Sequence, residues 1–380
     1  MLRIGLLGAG RIGRVHATNI AAHPKSALVA VSDINLDAAK GLASAYDAEA
    51  MDVDAVINSP AIDAVLIATS TDTHSDLIER AAKAGKAVLC EKPVDLSLER
   101  AKACFATASQ PGTPIMIGFN RRFDPNFSGI KSALSNGDIG KPELLSITSF
   151  DPSPPPVSYI KVSGGLFRDM MIHDFDMARF LLAEEPVEVF ALGSALVDPA
   201  IGRAGDVDTA AVLMKTASGK IAQISNSRRA TYGYDQRIEV HGSLGMLRAG
   251  NIHETTVESA TGSGFRADPV QNFFLERYAA AYRAELDAFF TACRGGVAPT
   301  PSGLDGLKAQ ILADAATESA RTGKPVAKQG LGPTDYAYTM PEGVATKEVV
   351  YYSDGVACYA VLADKFTGFV VDSSGVRTYP

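Results

Sequence analysis

The chain has 380 residues, more than one hydrophobic core usually organises, so two domains are the expectation. Its 36 basic and 43 acidic side chains leave a net charge of −7, which argues against a nucleic-acid surface or an anionic membrane as partner. Hydrophobic residues make up 46% and charged residues 21%, an ordinary globular balance, and no apolar run approaches the roughly 18 residues of a membrane helix.

Met1-Leu2-Arg3 and the apolar Ile4 to Leu7 faintly resemble a secretion signal. The stretch breaks at Gly8, and Arg11 and Arg14 stand where a cleavage region should be uncharged, so it reads as a first strand. Cys90, Cys104, Cys293 and Cys358 show no short pairing, which indicates neither a zinc site nor a disulfide framework. Reduced thiols and a cytoplasmic location are the plain expectation, with no metal.

The run Arg3 to Leu7 ends in Gly8-Ala9-Gly10-Arg11-Ile12-Gly13, and helix-forming residues follow to about Ala22. Gly8 allows a tight turn, Gly10 lets the backbone approach a pyrophosphate, and Gly13 lets helix and strand pack closely. Free N–H groups of the following helix then face phosphate charge. The pattern alone is weak, because glycines also mark ordinary turns. Here a strand precedes it, a helix follows, and Asp33 closes the next apolar run, Ala27 to Ser32, about 20 residues past Gly13. The Asp33 carboxylate suits both adenosine ribose hydroxyls and would repel a 2′-phosphate. Ile34 and Asn35 follow, with no cation to welcome one, so NAD is the expected cofactor.

Strands and helices then alternate: helix Leu36 to Tyr46, strand Ala64 to Ala68, helix His74 to Ala84, strand Ala87 to Cys90, helix Ser97 to Ala108 and strand Ile115 to Phe119. This is the rhythm of a largely parallel sheet covered on both faces. Ligands bind beyond the carboxyl ends of such strands, where Thr69-Ser70-Thr71-Asp72-Thr73-His74 and Glu91-Lys92-Pro93 lie. Thr69, Thr71, His74, Glu91 and Lys92 therefore join the glycine turn, with its Arg11 and Ile12, as cofactor-contact candidates. His74 equally suits a surface helix cap. A lysine in a loop is usually a solvated surface charge, so Lys92 read alone favours that over a group held over a nicotinamide.

Past Asn120 the pattern changes. The stiff Asp151-Pro152-Ser153-Pro154-Pro155-Pro156 cannot be helix interior. Gly164-Gly165 opens a helical run, Leu166 to Leu182, on which Asp169, His173 and Asp176 fall within about 60° of one another. The rest of that helix is mostly apolar, so the polar stripe faces either a cleft or, as an ordinary surface pair, solvent. Strands follow at Val187 to Leu192, Thr209 to Lys215, Lys220 to Asn226, Gln236 to His241 and Gly245 to Arg248, close enough for an open, largely antiparallel sheet. Helices are expected at Gln271 to Cys293 and Ser302 to Arg321. The fold class is thus an α/β Rossmann domain plus an α+β domain, over residues 1–120 and 121–327.

Moving a hydride from an alcohol carbon leaves a hydroxyl proton to be taken, and histidine is suited to that near neutral pH. His173 fits the base, Asp169 a group holding its imidazole, and Lys92 a charge beside the alkoxide. At these residues the chain resembles the Gfo/Idh/MocA oxidoreductases, and among them the inositol 2-dehydrogenases. The matching segments are the glycine turn, Glu91-Lys92-Pro93, Gly118-Phe119-Asn120-Arg121-Arg122-Phe123-Asp124, Gly164 to Asp174, and Tyr232-Gly233-Tyr234-Asp235. The resemblance implies a catalytic set of Lys92, Asp169 and His173. It also implies substrate contacts from these three and from Arg122, Asp151 and a tyrosine of the last segment, Tyr232 or Tyr234.

It implies further an NAD-dependent oxidation of a cyclic polyol, myo-inositol to 2-keto-myo-inositol first, by a homotetramer joined through the open face of the second sheet. Another inositol isomer, an aldose, transient NAD use in glycosidic cleavage, and nucleotide binding without catalysis are the alternatives. The resemblance ends near Val326. Residues 328–380 form an atypical extension with strand-rich units at Glu348 to Leu362 and Gly368 to Tyr379, read as a β appendage without catalytic residues.

Overall fold

The computed structural model describes residues 1–108, 113–295, 297–327, 369–372 and 375–378. In the first domain β1 (Leu2–Leu7), α1 (Arg11–Ala22), β2 (Ser26–Ser32) and α2 (Leu36–Ser44) lead to a two-residue β3 (Glu49–Ala50) and α3 (Val53–Asn58). Then come β4 (Ala64–Ile67), α4 (His74–Lys83), β5 (Ala87–Glu91), α5 (Leu98–Ala108) and β6 (Ile115–Gly118). The sheet runs β3-β2-β1-β4-β5-β6 with every pair parallel. Strands β1, β4 and β5 carry short apolar cores buried on both faces, Ile4 to Leu7, Ala64 to Ile67 and Ala87 to Cys90, as helix-covered parallel strands must. The order reverses at β1 and β4, which puts the glycine turn and the Thr69 loop side by side at the strand ends.

The second domain opens with α6 (Pro125–Asn136), capped by Asp124 and stopped by Gly137 at φ +79°, and with β7 (Pro142–Phe150). Three helices follow, α7 (Val157–Ser163), α8 (Gly165–Asp169) and α9 (Ile172–Leu182). The single helix expected over Leu166 to Leu182 is therefore two, broken at Met170 and Met171. Next are β8 (Pro186–Ser194), α10 (Pro199–Arg203), β9 (Thr209–Thr216), β10 (Ile221–Ser227), β11 (Asp235–Gly242) and β12 (Gly245–Ala249). A hairpin, β13 (Glu258–Thr261) and β14 (Gly264–Ala267), leads to α11 (Phe274–Arg277), α12 (Ala279–Cys293), α13 (Gly303–Thr322) and β15 (Val326–Ala327). The large sheet has order β12-β11-β7-β10-β9-β8-β15 and is antiparallel except for the β7–β10 pair.

A linear boundary at residue 120 is too simple. Helix α12 returns to the first domain, where Leu286, Phe289 and Phe290 share a core with Ile4, Leu6 and Ile20. Helix α13 does the same through Leu307 and Ala309, packed with Val94, Phe105 and Ile117. The two domains are joined by buried apolar surface, as well as by chain crossings. Of the extension, β16 (Phe369–Asp372) and β17 (Gly375–Thr378) pair antiparallel, while the unit expected at Glu348 to Leu362 lies outside the described residues. Among the described residues no helix is long and apolar enough to cross a membrane.

Candidate active site

The glycine turn is built as its spacing requires. Gly8 has φ +104°, and a Cβ there would run into the Ala68 carbonyl; a Cβ on Gly13 would run into the carbonyl of Gly8. A Cβ on Gly10 would meet nothing within 4 Å, so the open side of the turn is at Gly10. Helix α1 starts there without any side-chain cap, leaving its first N–H groups for an anion. Asp33, at the end of β2, accepts hydrogen bonds from the Ala9 amide at 2.7 Å and the Asn35 amide at 2.8 Å. The acid is thereby locked against the turn with lone pairs to spare, a donor and acceptor set that fits a dinucleotide with a free ribose 2′-hydroxyl. Ile12 packs against the second-domain core, and Arg11 lies over the Phe273 ring, its guanidinium carbon 5.6 Å from the centroid.

The neighbouring loops hold each other. Thr71 starts a short 3-10 turn, and the Thr69 and Thr73 hydroxyls are 2.7 Å apart. His74 is neither a surface cap nor free to reach a ligand. It is 1% exposed, with Nδ1 2.8 Å from the Pro93 carbonyl and Nε2 3.2 Å from the Thr69 carbonyl. Burial lowers its pKa, so the ring is neutral and donates to one carbonyl, which the shorter distance assigns to Pro93. Its work is to tie the Thr69 loop to the Lys92 loop. Glu91 ties the same strand end to α1, with Oε1 2.7 Å from His16 Nε2.

Lys92 crosses to the second domain. Its Nζ donates to the Asp169 carbonyl at 2.5 Å and lies 3.6 Å from Asp169 Oδ1, with both side chains about one-seventh exposed. The same Oδ1 accepts from the Tyr159 hydroxyl at 2.9 Å, and Oδ2 faces Arg228 Nη2 at 3.6 Å. Asp169 thus serves Lys92, and the expected bond from Asp169 to the His173 imidazole is absent. The helix break at Met170 and Met171 explains this, because the two residues no longer share one helical face. His173 packs edge-on against Phe119 and is partly exposed, while its Nδ1 is buried without a hydrogen-bond partner among the described residues. The accessible edge is therefore the one carrying Nε2. Burial, and then the positive charges of Lys92 and Arg121, hold its pKa well below the usual 6.5. The imidazole is neutral at pH 7 and offers a lone pair.

Asp176 turns away from this group. It is 1% exposed and bound by Arg122, whose Nε and Nη2 donate at 2.7 and 2.6 Å; Nη2 also reaches Asp305 at 2.8 Å. Arg122 is thus spent bracing α9 against α13, which corrects its expected substrate contact. Arg121 is the arginine beside the site. It donates to Asp174 at 2.6 Å and to Ser149 at 3.1 Å, and comes within 3.5 Å of the Tyr234 hydroxyl. Tyr234 is 4% exposed in this network, whereas Tyr232 is 54% exposed and donates to Asp235 at 2.6 Å. Asp151, at the end of β7, is pinned by its backbone to Ser227 and Ala230. Burial pushes its carboxyl up to about 6 against the pull of Arg228 and Arg121.

Three residues of the cleft carried no readable signal of their own: Arg121, Tyr159 and Arg228. Arg121 adjoins Arg122 in one motif, and only the partners distinguish them. Tyr159 follows the proline run on α7, and Arg228 precedes the tyrosine segment by a few residues.

A nucleotide turn whose neighbouring strand end sends a lysine onto the carboxylate of a second lobe, beside a neutral imidazole, defines a two-domain nucleotide-dependent oxidoreductase. Residues 2–119 match the family model described as an oxidoreductase family, NAD-binding Rossmann fold, and residues 127–248 match the GFO/IDH/MocA C-terminal domain. The inositol 2-dehydrogenase of Rhizobium meliloti (strain 1021) is 55% identical over 318 residues, 84% of this chain and 96% of that protein. The myo-inositol 2-dehydrogenase of Thermotoga maritima is 48% identical over 324 residues, again 84% of this chain and 96% of that protein. The crystal structure of a myo-inositol dehydrogenase from Corynebacterium glutamicum superposes with a TM-score of 0.83 at 47% identity, covering 88% of this chain and 99% of that one. The chain belongs to the GFO/IDH/MocA family of NAD-binding oxidoreductases.

Proposed function

We propose that this protein oxidises a ring hydroxyl of myo-inositol to 2-keto-myo-inositol, with Lys92, Asp169 and His173 as its catalytic set. One arrangement carries the reading: Lys92, delivered by the nucleotide domain, sits on Asp169, and its charge together with burial keeps the partly exposed His173 imidazole neutral. His173 takes the hydroxyl proton on Nε2. Lys92, held by the carbonyl and carboxylate of Asp169, donates to the same oxygen and stabilises the charge that grows on it. Asp169 fixes the ammonium, so little reorganisation is needed when that charge appears. NAD, bound along the glycine turn and Asp33, supplies the hydride acceptor. Asp151, Arg121 and Tyr234 offer acceptors and donors for the remaining hydroxyls. The substrate follows from the names of the relatives above, two of which state myo-inositol.

A homotetramer fits the outer face of the seven-stranded sheet, where strand register aligns the exposed Leu144, Leu192, Leu213, Ile221 and Met246. The free thiols of Cys90, Cys104 and Cys293 fit a reducing cytoplasm.

The test is NADH formation from myo-, scyllo- and chiro-inositol, glucose and xylose, with NAD and NADP in parallel. The highest kcat/KM is expected for myo-inositol with NAD. Preference for another isomer or an aldose moves the substrate within the class, and no NADH from any of them overturns the reading.

A further inference from the structure

Arg228 leaves the end of β10 and is 1% exposed. Its Nη2 lies 3.6 Å from Asp169 Oδ2 and 3.8 Å from Asp206 Oδ2. Neither Nη2 nor Nε has a hydrogen-bond partner among the described residues. A buried guanidinium with idle donors is costly unless surrounding charge holds it. Carboxylates supply that charge. Asp206 sits before β9, and its Oδ1 accepts the Leu166 amide at 3.0 Å, pinning the first turn of α8. Asp169 ends the same short helix. Asp151 lies at the end of β7, and Arg228 is the leading positive charge acting on its carboxyl, ahead of Arg121. The guanidinium therefore stands among three carboxylates from three elements, bracing both ends of α8.

We propose that Arg228 is a positioning residue for the Lys92–Asp169 pair: its buried charge balances Asp151, Asp169 and Asp206 and keeps Asp169 turned towards Lys92. The proposal rests on the dehydrogenase reading given above and deepens it. Without that charge, three carboxylates share a confined region in which Lys92 is the cation in contact with Asp169, while Arg121 is already bound to Asp174. Mutual repulsion then favours protonation of one carboxyl and rotation of Asp169 away from the ammonium. The ionisable groups around the cluster are Arg11 on α1, Lys92 after β5, Arg121 before α6, Asp151 after β7, Tyr159 on α7, Asp169 on α8, His173 and Asp174 on α9, Asp206 before β9 and Tyr234 before β11. Of these, Asp151, Asp169 and Asp206 carry the negative charge that Arg228 balances, Lys92 shares in that balance, and the Tyr159 hydroxyl donates to Asp169 at 2.9 Å.

The test uses the full chain with R228M, R228Q and R228K. Carboxyl carbon-13 NMR, with Asp151 assigned by D151N, follows its titration without turnover. In R228M the Asp151 midpoint is expected to rise from about 6 by about one unit, a tenfold change in proton affinity. The acid limb of the pH profile for NADH formation should move the same way, with kcat/KM near neutral pH reduced at least about tenfold. NADH affinity by fluorescence should stay within about threefold, because the glycine turn does not touch Arg228. R228K should keep the wild-type limb. Should the Met variant not fold, R228Q carries the same comparison. An unmoved Asp151 midpoint in the uncharged variants, or R228K falling as far as they do, overturns the proposal. Lack of turnover by the wild type would instead refute the dehydrogenase reading, while the NMR titration would still decide the role of Arg228.

Discussion

Replacing His173 by alanine separates chemistry from binding most cleanly. The imidazole is neutral because burial, Lys92 and Arg121 all oppose its protonation, so nearly every molecule at pH 7 holds the base form. Losing a positioned general base costs about 100- to 10,000-fold in rate, roughly 2.7–5.4 kcal/mol of transition-state stabilisation. Stability should change little. The variant loses ring packing against Phe119, yet it also removes a buried Nδ1 that has no partner among the described residues. An unsatisfied group of that kind costs about 1–3 kcal/mol, the same order as the small void left behind. Nor does His173 touch the glycine turn or Asp33. Steady-state NADH formation with myo-inositol, NADH binding by fluorescence and thermal unfolding measure the three quantities on one preparation. A fall in kcat with NADH affinity within about threefold is expected. Equal losses of kcat and NADH affinity, or a large drop in melting temperature, would show that the residue is structural and refute the base assignment.

Asp33→Ala should erode the preference for NAD over NADP if the carboxylate held by the Ala9 and Asn35 amides is the ribose acceptor; unchanged kcat/KM ratios would take Asp33 out of the ribose site. Asp151 predicts a pH dependence of stability. Its carboxyl titrates at about 6 in the fold against an ordinary 3.8, so between these values the folded chain holds a proton that the unfolded chain has released. Stability therefore falls as pH rises through this window, by at most roughly 3 kcal/mol, and Asp151→Asn should remove that slope. Urea titrations at about pH 4 and pH 7 measure it, and a wild-type disadvantage confined to the acidic side would contradict the sign. Phe289→Ala should cost about 3–5 kcal/mol, since the ring is fully buried between α12 and the first sheet. A loss below about 1 kcal/mol in chemical denaturation would mean that the two domains do not depend on that contact.

The first domain was readable because its determinants are local. A parallel strand buried on both faces is a continuous apolar run, and the glycine turn lies within one stretch of chain. Strand β7 was missed for a definite reason. Its inward positions are Leu145, Ile147 and Ser149, and the polar serine interrupts the alternation because it bonds Arg121 and Gln236 inside the core. Helix α6 carries its signals in sequence, with Asp124 as cap, Pro125 at the first turn and Gly137 at the end, but its apolar residues show no clear stripe to mark it as an element. The Asp169 stripe failed because helical arithmetic assumes an unbroken helix. Whether an arginine faces a cleft or a carboxylate on another helix is not a local property, so Arg121 and Arg122 could not be told apart before their partners were known.

That distinction bears on how the site is held together. Residues 92 and 169 belong to different domains, and their direct contact fixes how the two domains dock at the site. The docking comes from the C-terminal half of the chain. Helix α12 places Leu286, Phe289 and Phe290 in the first domain's core, and α13 lays Leu307 and Ala309 against the other side of the same sheet. Arg122 and Arg179 then bind α9 to Asp305 at the start of α13, so the helix carrying His173 is braced by an element that also packs on β6. An ammonium and an imidazole held this way bring little orientational entropy to be lost when substrate arrives, and that term is among the largest an enzyme can supply. Arg122, expected as a substrate ligand, instead ties Asp176 on α9 to Asp305 on α13 and so braces the helix that carries His173.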